Sequence, residues 1–252
     1  MRIVIINPNS DSAQTAQIDR AAKAFAADRF EVVTLATPGA PQYIDTCMDA
    51  AKALPGMLAL VEQWEEKADA YVIACHCDPN LTVLREASAH PVLGIGESSM
   101  KMATMLGHKF SVVSTGERGI PNKEANIRAY GLEPFTASLR APGPECRCAD
   151  MAGKLRNAAA HAVNDDRAEV IVLSAAGQSE LAAAMAKELG VPVLDGVDCA
   201  LTLAEGMCRA GFATSKNAAI SDTHGQKPEE KTLFRLCCSG SFTFCYPPSC
   251  AL

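Results

Sequence analysis

No glycine-rich phosphate loop appears in this sequence: there is no G-x-G-x-x-G after the first apolar run and no G-x-x-x-x-G-K-[ST] anywhere in its 252 residues. Without such a loop, dinucleotide and nucleotide binding lose their usual support, a backbone brought close enough to cradle a pyrophosphate. A G-x-S-x-G elbow is missing too, which weakens a serine hydrolase. The five histidines, at 76, 90, 108, 161 and 224, show no zinc-ligand spacing. Positive charge is scarce: the net charge is −6 and no Lys/Arg cluster offers a footprint for nucleic acid. Met1–Ile6 is too short to span a membrane and runs straight into Asn-Pro-Asn, so neither a signal peptide nor a membrane anchor is expected.

Cysteine, by contrast, is plentiful. The eleven cysteines do not form a secreted framework, because their number is odd, Cys75 ends an apolar run, and Cys199 and Cys208 lie in a helical pattern. Reduced thiols in a cytoplasmic protein are the expectation. Cys237, Cys238, Cys245 and Cys250 lack C-x₂-C pairing and have no histidine among them, so residues 217–252 read as an irregular tail rather than a metal site. With 48% hydrophobic and 21% charged residues, the chain has the composition of a globular protein able to bury a sizeable core.

Apolar runs at 2–6, 30–35, 70–74, 92–93, 109–115 and 135–139 read as strands, with helical patterns between them, and a second copy of the central unit runs from 168 to about 212. Asn7-Pro8-Asn9-Ser10 is a turn, and Ser10 or Asp11 can cap a helix reaching about Ala27. Further helices are expected over 48–66, 81–89, 97–106, 120–130 and 150–164, the first kinked or broken at Pro55-Gly56. Strands alternating with helices predict an α/β protein with parallel, doubly wound sheets, in two lobes.

One pattern occurs twice. Ala68-Asp69-Ala70-Tyr71-Val72-Ile73-Ala74-Cys75 returns as Ala168-Glu169-Val170-Ile171-Val172-Leu173-Ser174-Ala175. Each copy is followed by a helix-like stretch, then Pro-Val-Leu (Pro91 and Pro192), then a second helix. The duplication suggests a pseudo-twofold protein with one site between its halves, and it sets Ala175 where the first half has Cys75.

In a parallel α/β sheet, ligands bind at the carboxyl ends of strands. Cys75 stands there, before the polar turn His76-Cys77-Asp78-Pro79, with a helix expected a few residues on whose N-terminus would lower its pKa. The bland alternative is a small cysteine buried in a strand. Asn7, Asn9 and Ser10 end the first strand and could bind a carboxylate or imide, or simply form a capped Asx turn. Ser114 and Thr115 close another strand on the same edge, and Ser174, Ala176 and Gly177 a fourth. The loop Pro38–Asp45, which holds Ile44, is long enough to fold over a site. Cys75 is therefore the candidate catalytic residue, with substrate contacts expected at Asn7, Asn9, Ile44, His76, Asp78, Thr115, Ala176 and Gly177, and no metal.

Five segments in order, Ile6-Asn7-Pro8-Asn9-Ser10, Ile73-Ala74-Cys75 with Asp78-Pro79, Gly94-Ile95-Gly96-Glu97, Leu106 to Val113 and Val193-Leu194-Asp195-Gly196-Val197, resemble the hydantoin/allantoin racemase branch of the aspartate/glutamate racemase superfamily. The likeness covers residues 2 to about 216. It implies two pseudo-twofold α/β lobes with the active site in the cleft, approximately 1–95 with 196–216 and 96–195. It also implies no cofactor, a homo-oligomer, a small-molecule substrate such as a hydantoin, allantoin or amino-acid derivative, and two cysteines facing each other across the substrate's acidic carbon. Racemisation needs a base on one face and an acid on the other, exchanging roles with direction. This chain departs from the family pattern at the second thiol, reading Leu173-Ser174-Ala175-Ala176-Gly177 where the family has roughly Leu-Gly-Cys-Ala-Gly, and at Cys77, where the family commonly has an acid.

Racemase is thus the expected class, with competing readings left open. One is a one-thiol relative, such as a decarboxylase or isomerase of small carboxylic acids. Another is a binder that keeps the cleft without turnover. The last is an unrelated hydrolase using Cys75 and His76, which lacks an orienting third group.

Overall fold

Residues 1–143, 148 and 150–216 are those described by the computed structural model; the tail at 217–252 lies outside them. In chain order the first half runs β1 (Arg2–Asn7), α1 (Ser12–Ala26), β2 (Glu31–Ala36), α2 (Cys47–Trp64), β3 (Ala70–Ile73), α3 (Leu81–Ala87) and β4 (Val92–Gly94). The second half runs α4 (Ile95–Leu106), β5 (Phe110–Val113), α5 (Ile120–Ala129), β6 (Thr136–Arg140), α6 (Met151–Asn164), β7 (Val170–Leu173), α7 (Ser179–Leu189), β8 (Val193–Asp195) and α8 (Gly196–Ala210).

The expected parallel α/β architecture is present as two four-stranded sheets, ordered β2-β1-β3-β4 and β6-β5-β7-β8. In each sheet the chain reverses its winding between the two central strands, which opens a crevice at their carboxyl ends. Strand alternation sorts the core onto both faces. Ile3, Ile5 and Val72 pack with Ile18 and Ala22 of α1, while Val4, Ile6, Tyr71 and Ile73 pack with Ala53, Met57 and Leu60 of α2. Helix α8 returns to the first sheet, adding Val197, Ala200, Leu201 and Ala204 to the α1 face. In the second sheet α6 and α7 cover one face of β7 and α4 the other.

The caps follow from local chemistry. The Asp11 side chain accepts from the Ala13 and Gln14 amides at the start of α1, so Asp11, rather than Ser10, caps it. Thr46 and Asp49 form a reciprocal capping box on α2. The expected break at Pro55-Gly56 is absent, and α2 runs through it. Gly56 has a different purpose: a Cβ there would lie 2.2 Å from the Pro38 carbonyl and 2.7 Å from Thr37 Cγ2, so glycine lets the loop after β2 press onto the helix. That loop is further held by the Ser10 amide on the Pro41 carbonyl.

The halves meet reciprocally. Helix α1 donates from Gln17 Nε2 to the Gly177 carbonyl at 3.2 Å, and α5 donates from Asn126 Nδ2 to the Cys77 carbonyl at 3.0 Å. Each half therefore grips the turn that follows the other half's third strand. The first residues of α4 and α8 abut, since a Cβ on Gly196 would come within 2.9 Å of the Ile95 carbonyl.

Candidate active site

Cys75 emerges two residues beyond the end of β3, at the winding reversal of the first sheet. The Ala74 amide makes the last link, to the Ile6 carbonyl; its counterpart is the Ser174 amide on the Val113 carbonyl. This register makes Ala175 the equivalent of Cys75. The turns then diverge, because the left-handed residues are Asp78 (φ 47°) and Asn80 (φ 61°) in the first and Gly177 (φ 71°) in the second.

His76 is turned inward, 3% exposed, with no hydrogen-bond partner for either ring nitrogen among the described residues. Burial, helped by the Lys123 charge, holds its pKa down to about 3, so the ring is neutral. With His76 driven in, Cys75 and Cys77 flank it on one side, and their Sγ atoms are 3.6 Å apart.

The expectation that a helix N-terminus lowers the Cys75 pKa fails. Helix α3 starts only at Leu81, behind Asp78-Pro79-Asn80. The hydrogen bond to Cys77 and burial push the Cys75 thiol well up. Cys77 moves the other way, to about 7: the Cys75 S–H donates to its thiolate and Lys123 adds positive charge, against burial and Asp45. Loss of a first proton from the pair is eased, and loss of a second is opposed.

Asp78 belongs to the framework of this turn. Its carboxylate accepts from the Gly96 and Glu97 amides at 2.9 and 2.6 Å and from the Tyr130 hydroxyl at 2.8 Å. It thereby pins the Cys75 turn to the start of α4 and the end of α5. Burial raises its pKa to about 7 despite those donors. Asp195 does the mirrored task in the second half, accepting from Gln178, Val197 and Asp198 amides, with burial raising it to about 6.

A raised carboxyl contributes stability that is full below its ordinary value and is lost as pH climbs through the folded value, here about 7 for Asp78. Tyr130→Phe removes one donor to the ionised form, so its cost is expected mainly above that pH. Urea unfolding should show a loss of about 1.5–3 kcal/mol near pH 9 and a smaller one near pH 5; equal losses at both would break the assignment.

The polar groups at the other strand ends largely serve one another. Asn7 Nδ2 donates to Asn9 Oδ1 and Thr15 Oγ1, and Asn9 Nδ2 donates to Gln14. Ser114 Oγ donates to the Gly116 carbonyl, while Thr115 is exposed. Ala176 packs into the core beside Ile18 and Val197. An open cavity of about 410 Å³ brings Ile44 together with Cys77 and Asp78, and is also lined by Cys47, Asn122 and Asn126. The sequence drew no attention to Lys123, Asn126 or Tyr130. All three lie on α5 or at its end, whose pattern resembles an exposed helix, yet Lys123 is only 5% exposed.

The family model for Asp/Glu/Hydantoin racemase matches residues 3–204. The chain belongs to that family. It is 37% identical to a hydantoin racemase of Pseudomonas sp. (strain NS671), over 86% of this chain and 89% of that one. A hydantoin racemase of Paenarthrobacter aurescens is 35% identical over 92% and 99% of the two chains. Among solved structures, an allantoin racemase from Klebsiella pneumoniae superposes with a TM-score of 0.83 at 34% identity, covering 93% of this chain and 96% of that one.

The expected racemase class, an isomerase, therefore stands. This racemase-family chain carries a C-x-C, Cys75 and Cys77, in the first turn and Ala175 in the second. No helix among the described residues is long and apolar enough to cross a membrane.

Proposed function

We propose that the chain moves a proton at a carbon next to a carbonyl in a hydantoin- or allantoin-like ring, with Cys75 as the thiol that meets the substrate and no cofactor. What carries this reading is the place of Cys75, at the carboxyl end of the central strand β3 where the sheet reverses its winding, in a chain similar to hydantoin and allantoin racemases. An α-proton flanked by a ring carbonyl is acidic because the enolate delocalises its charge, and ring amides give the protein places to hold it. Asn7, Asn9, Ile44, His76, Asp78, Thr115, Ala176 and Gly177 remain the proposed surroundings, the last two through their backbone. Ala175 has no proton to give, so the face served by Cys75 is the faster one.

The same reading makes the protein a cytoplasmic homo-oligomer. Cys47, Cys75, Cys77, Cys199 and Cys208 all stand as free thiols, which a reducing compartment preserves.

A chiral 5-substituted hydantoin in deuterium oxide, followed by mass and optical rotation together, tests the chemistry. Label uptake is expected to outrun loss of rotation, and Cys75→Ala should abolish both. If neither label uptake nor loss of rotation occurs with hydantoins, allantoin or amino acids, the protein does not perform this chemistry.

A further inference from the structure

Cys77 is the thiol that the reading above leaves without a task. It shares one turn with Cys75, on the same side of the inward-facing His76, at an Sγ–Sγ distance of 3.6 Å. The turn is clamped directly after that contact. Asn126 holds the Cys77 carbonyl, and Asp78, the next residue, is fixed by two α4 amides and the Tyr130 hydroxyl. The two sulfurs also differ in outlook: Cys77 lines the 410 Å³ cavity with Ile44 and Asn122, and Cys75 does not.

We propose that Cys77 is a proton relay for Cys75: the two thiols hold one proton between them at rest, and Cys77 trades it with water in the cavity. This rests on Cys75 being the thiol that meets substrate. The resting proton shifts from Cys75 to Cys77. The substrate C–H bond then breaks, its proton goes to the Cys75 thiolate, and its electron pair stays in the enolate. Cys77 gives its proton to water, and the Cys75 proton passes across the contact to the Cys77 thiolate and leaves the same way. Water-derived protons refill Cys75 through Cys77 and then Cys77 itself. The Cys75 S–H protonates the carbon, and the proton left on Cys77 returns to Cys75. Nothing is oxidised or reduced.

The charges facing the pair come from three elements. Lys123 on α5 favours a thiolate at Cys77, Asp45 ahead of α2 opposes it, and Asp78 opposes one at Cys75. The second half cannot copy the device: Gly177 stands opposite Cys77 at φ 71°, with Ile18 Cα 3.1 Å from any added Cβ. As a residue acting through another, Cys77 calls for a readout that simple packing would not move.

That readout is thiolate formation in the full chain, followed by ultraviolet absorbance and by iodoacetamide labelling with peptide mapping across pH. One thiolate is expected near pH 7, with Cys77 labelled first, well ahead of the buried Cys199, whose pKa burial pushes up to about 12. Cys75→Ala should move the Cys77 half-point up by about one unit, a roughly tenfold loss of thiolate at acid pH. Cys75→Ser, whose hydroxyl can donate the same bond, should restore part of the shift. An unchanged Cys77 profile in Cys75→Ala overturns the relay. If the variants do not fold, the parent decides alone: no thiolate before the ordinary value of about 8.5 overturns it too. With substrate, Cys77→Ala should lose label exchange with water, and exchange at the parental rate counts against the relay. A shared proton in a parent that exchanges label from no substrate supports the pair and overturns only the substrate reading.

Discussion

Ala175→Cys should racemise a 5-substituted hydantoin faster than the parent by roughly 10²–10⁴-fold, the usual contribution of one positioned acid or base. The expectation comes from register. Val170–Leu173 pairs with β5 as Ala70–Ile73 pairs with β1, and Ser174 repeats the Ala74 link to the neighbouring strand. The next residue in each copy leaves the sheet at the same point, as Cys75 in one and Ala175 in the other. Ala175 is half-buried, so a sulfur added there is expected to cost less than in a packed core. Two thiols acting on opposite faces work as a unit, so Cys75→Ala in the Ala175→Cys background should remove the whole gain. Ser174→Cys is the control, one residue out of register and expected to do nothing. A folded Ala175→Cys protein that racemises no faster than the parent rules out the opposed arrangement. A gain at Ser174→Cys instead would mean that the second turn is offset by one residue.

The duplication was legible because it is written in strand hydrophobicity. Ala70–Ile73 and Val170–Leu173 are buried on both faces and read as uninterrupted apolar runs. Alternation with helices then leaves few topologies, and both sheets adopt the doubly wound order. At Pro55-Gly56 local propensity points to a break that the neighbouring loop overrides. The helix tolerates them, and the glycine answers to the Pro38 carbonyl pressed against it. The electrostatics of the turn were out of reach for a similar reason. A cysteine before a helix suggests a lowered pKa, but the sign at Cys75 is set by Cys77 across 3.6 Å and by burial. Lys123 gave no sign at all, since one buried lysine in a weakly amphipathic helix reads like any exposed one.

Asp78 illustrates how one residue supports both a site and a fold. Its charge is unfavourable where it lies, and burial raises its pKa to about 7. Three donors from two elements of the other half converge on it nonetheless. They fix where the turn ends, and so where the two preceding thiols stand. The Asp195 carboxylate holds the second turn to α8 by the same means, with the acid moved from the turn to the strand end. The duplicated halves have thus kept the contact and exchanged the residue that makes it.

Gly96→Ala is expected to be strongly damaging near the site, although it adds only a methyl group. The new Cβ would lie 2.3 Å from the His76 carbonyl and 2.7 Å from Asp78 Oδ2. The first of these is backbone and the second belongs to a side chain already fixed by three donors, so neither can yield cheaply. To make room, the start of α4 must draw back from the Cys75 turn, and the Gly96 and Glu97 amides then lose the Asp78 carboxylate. Overpacking typically costs about 1–3 kcal/mol, and leaving a buried charged acceptor short of donors costs at least as much again. A loss above about 3 kcal/mol is expected in urea unfolding, a large part of the stability of an ordinary domain. Gly206→Ala, within α8 and with nothing within 4 Å of the added Cβ, should instead gain about 0.5–1 kcal/mol from helix propensity. The same chemical change is thus predicted to have opposite signs at two helical glycines. Near-equal unfolding midpoints for the two variants would mean that α4 does not press on the turn as closely as 2.3 Å. The Cys77 labelling profile gives an independent check, because a turn released from α4 should lose the close sulfur contact and return Cys77 towards an ordinary thiol.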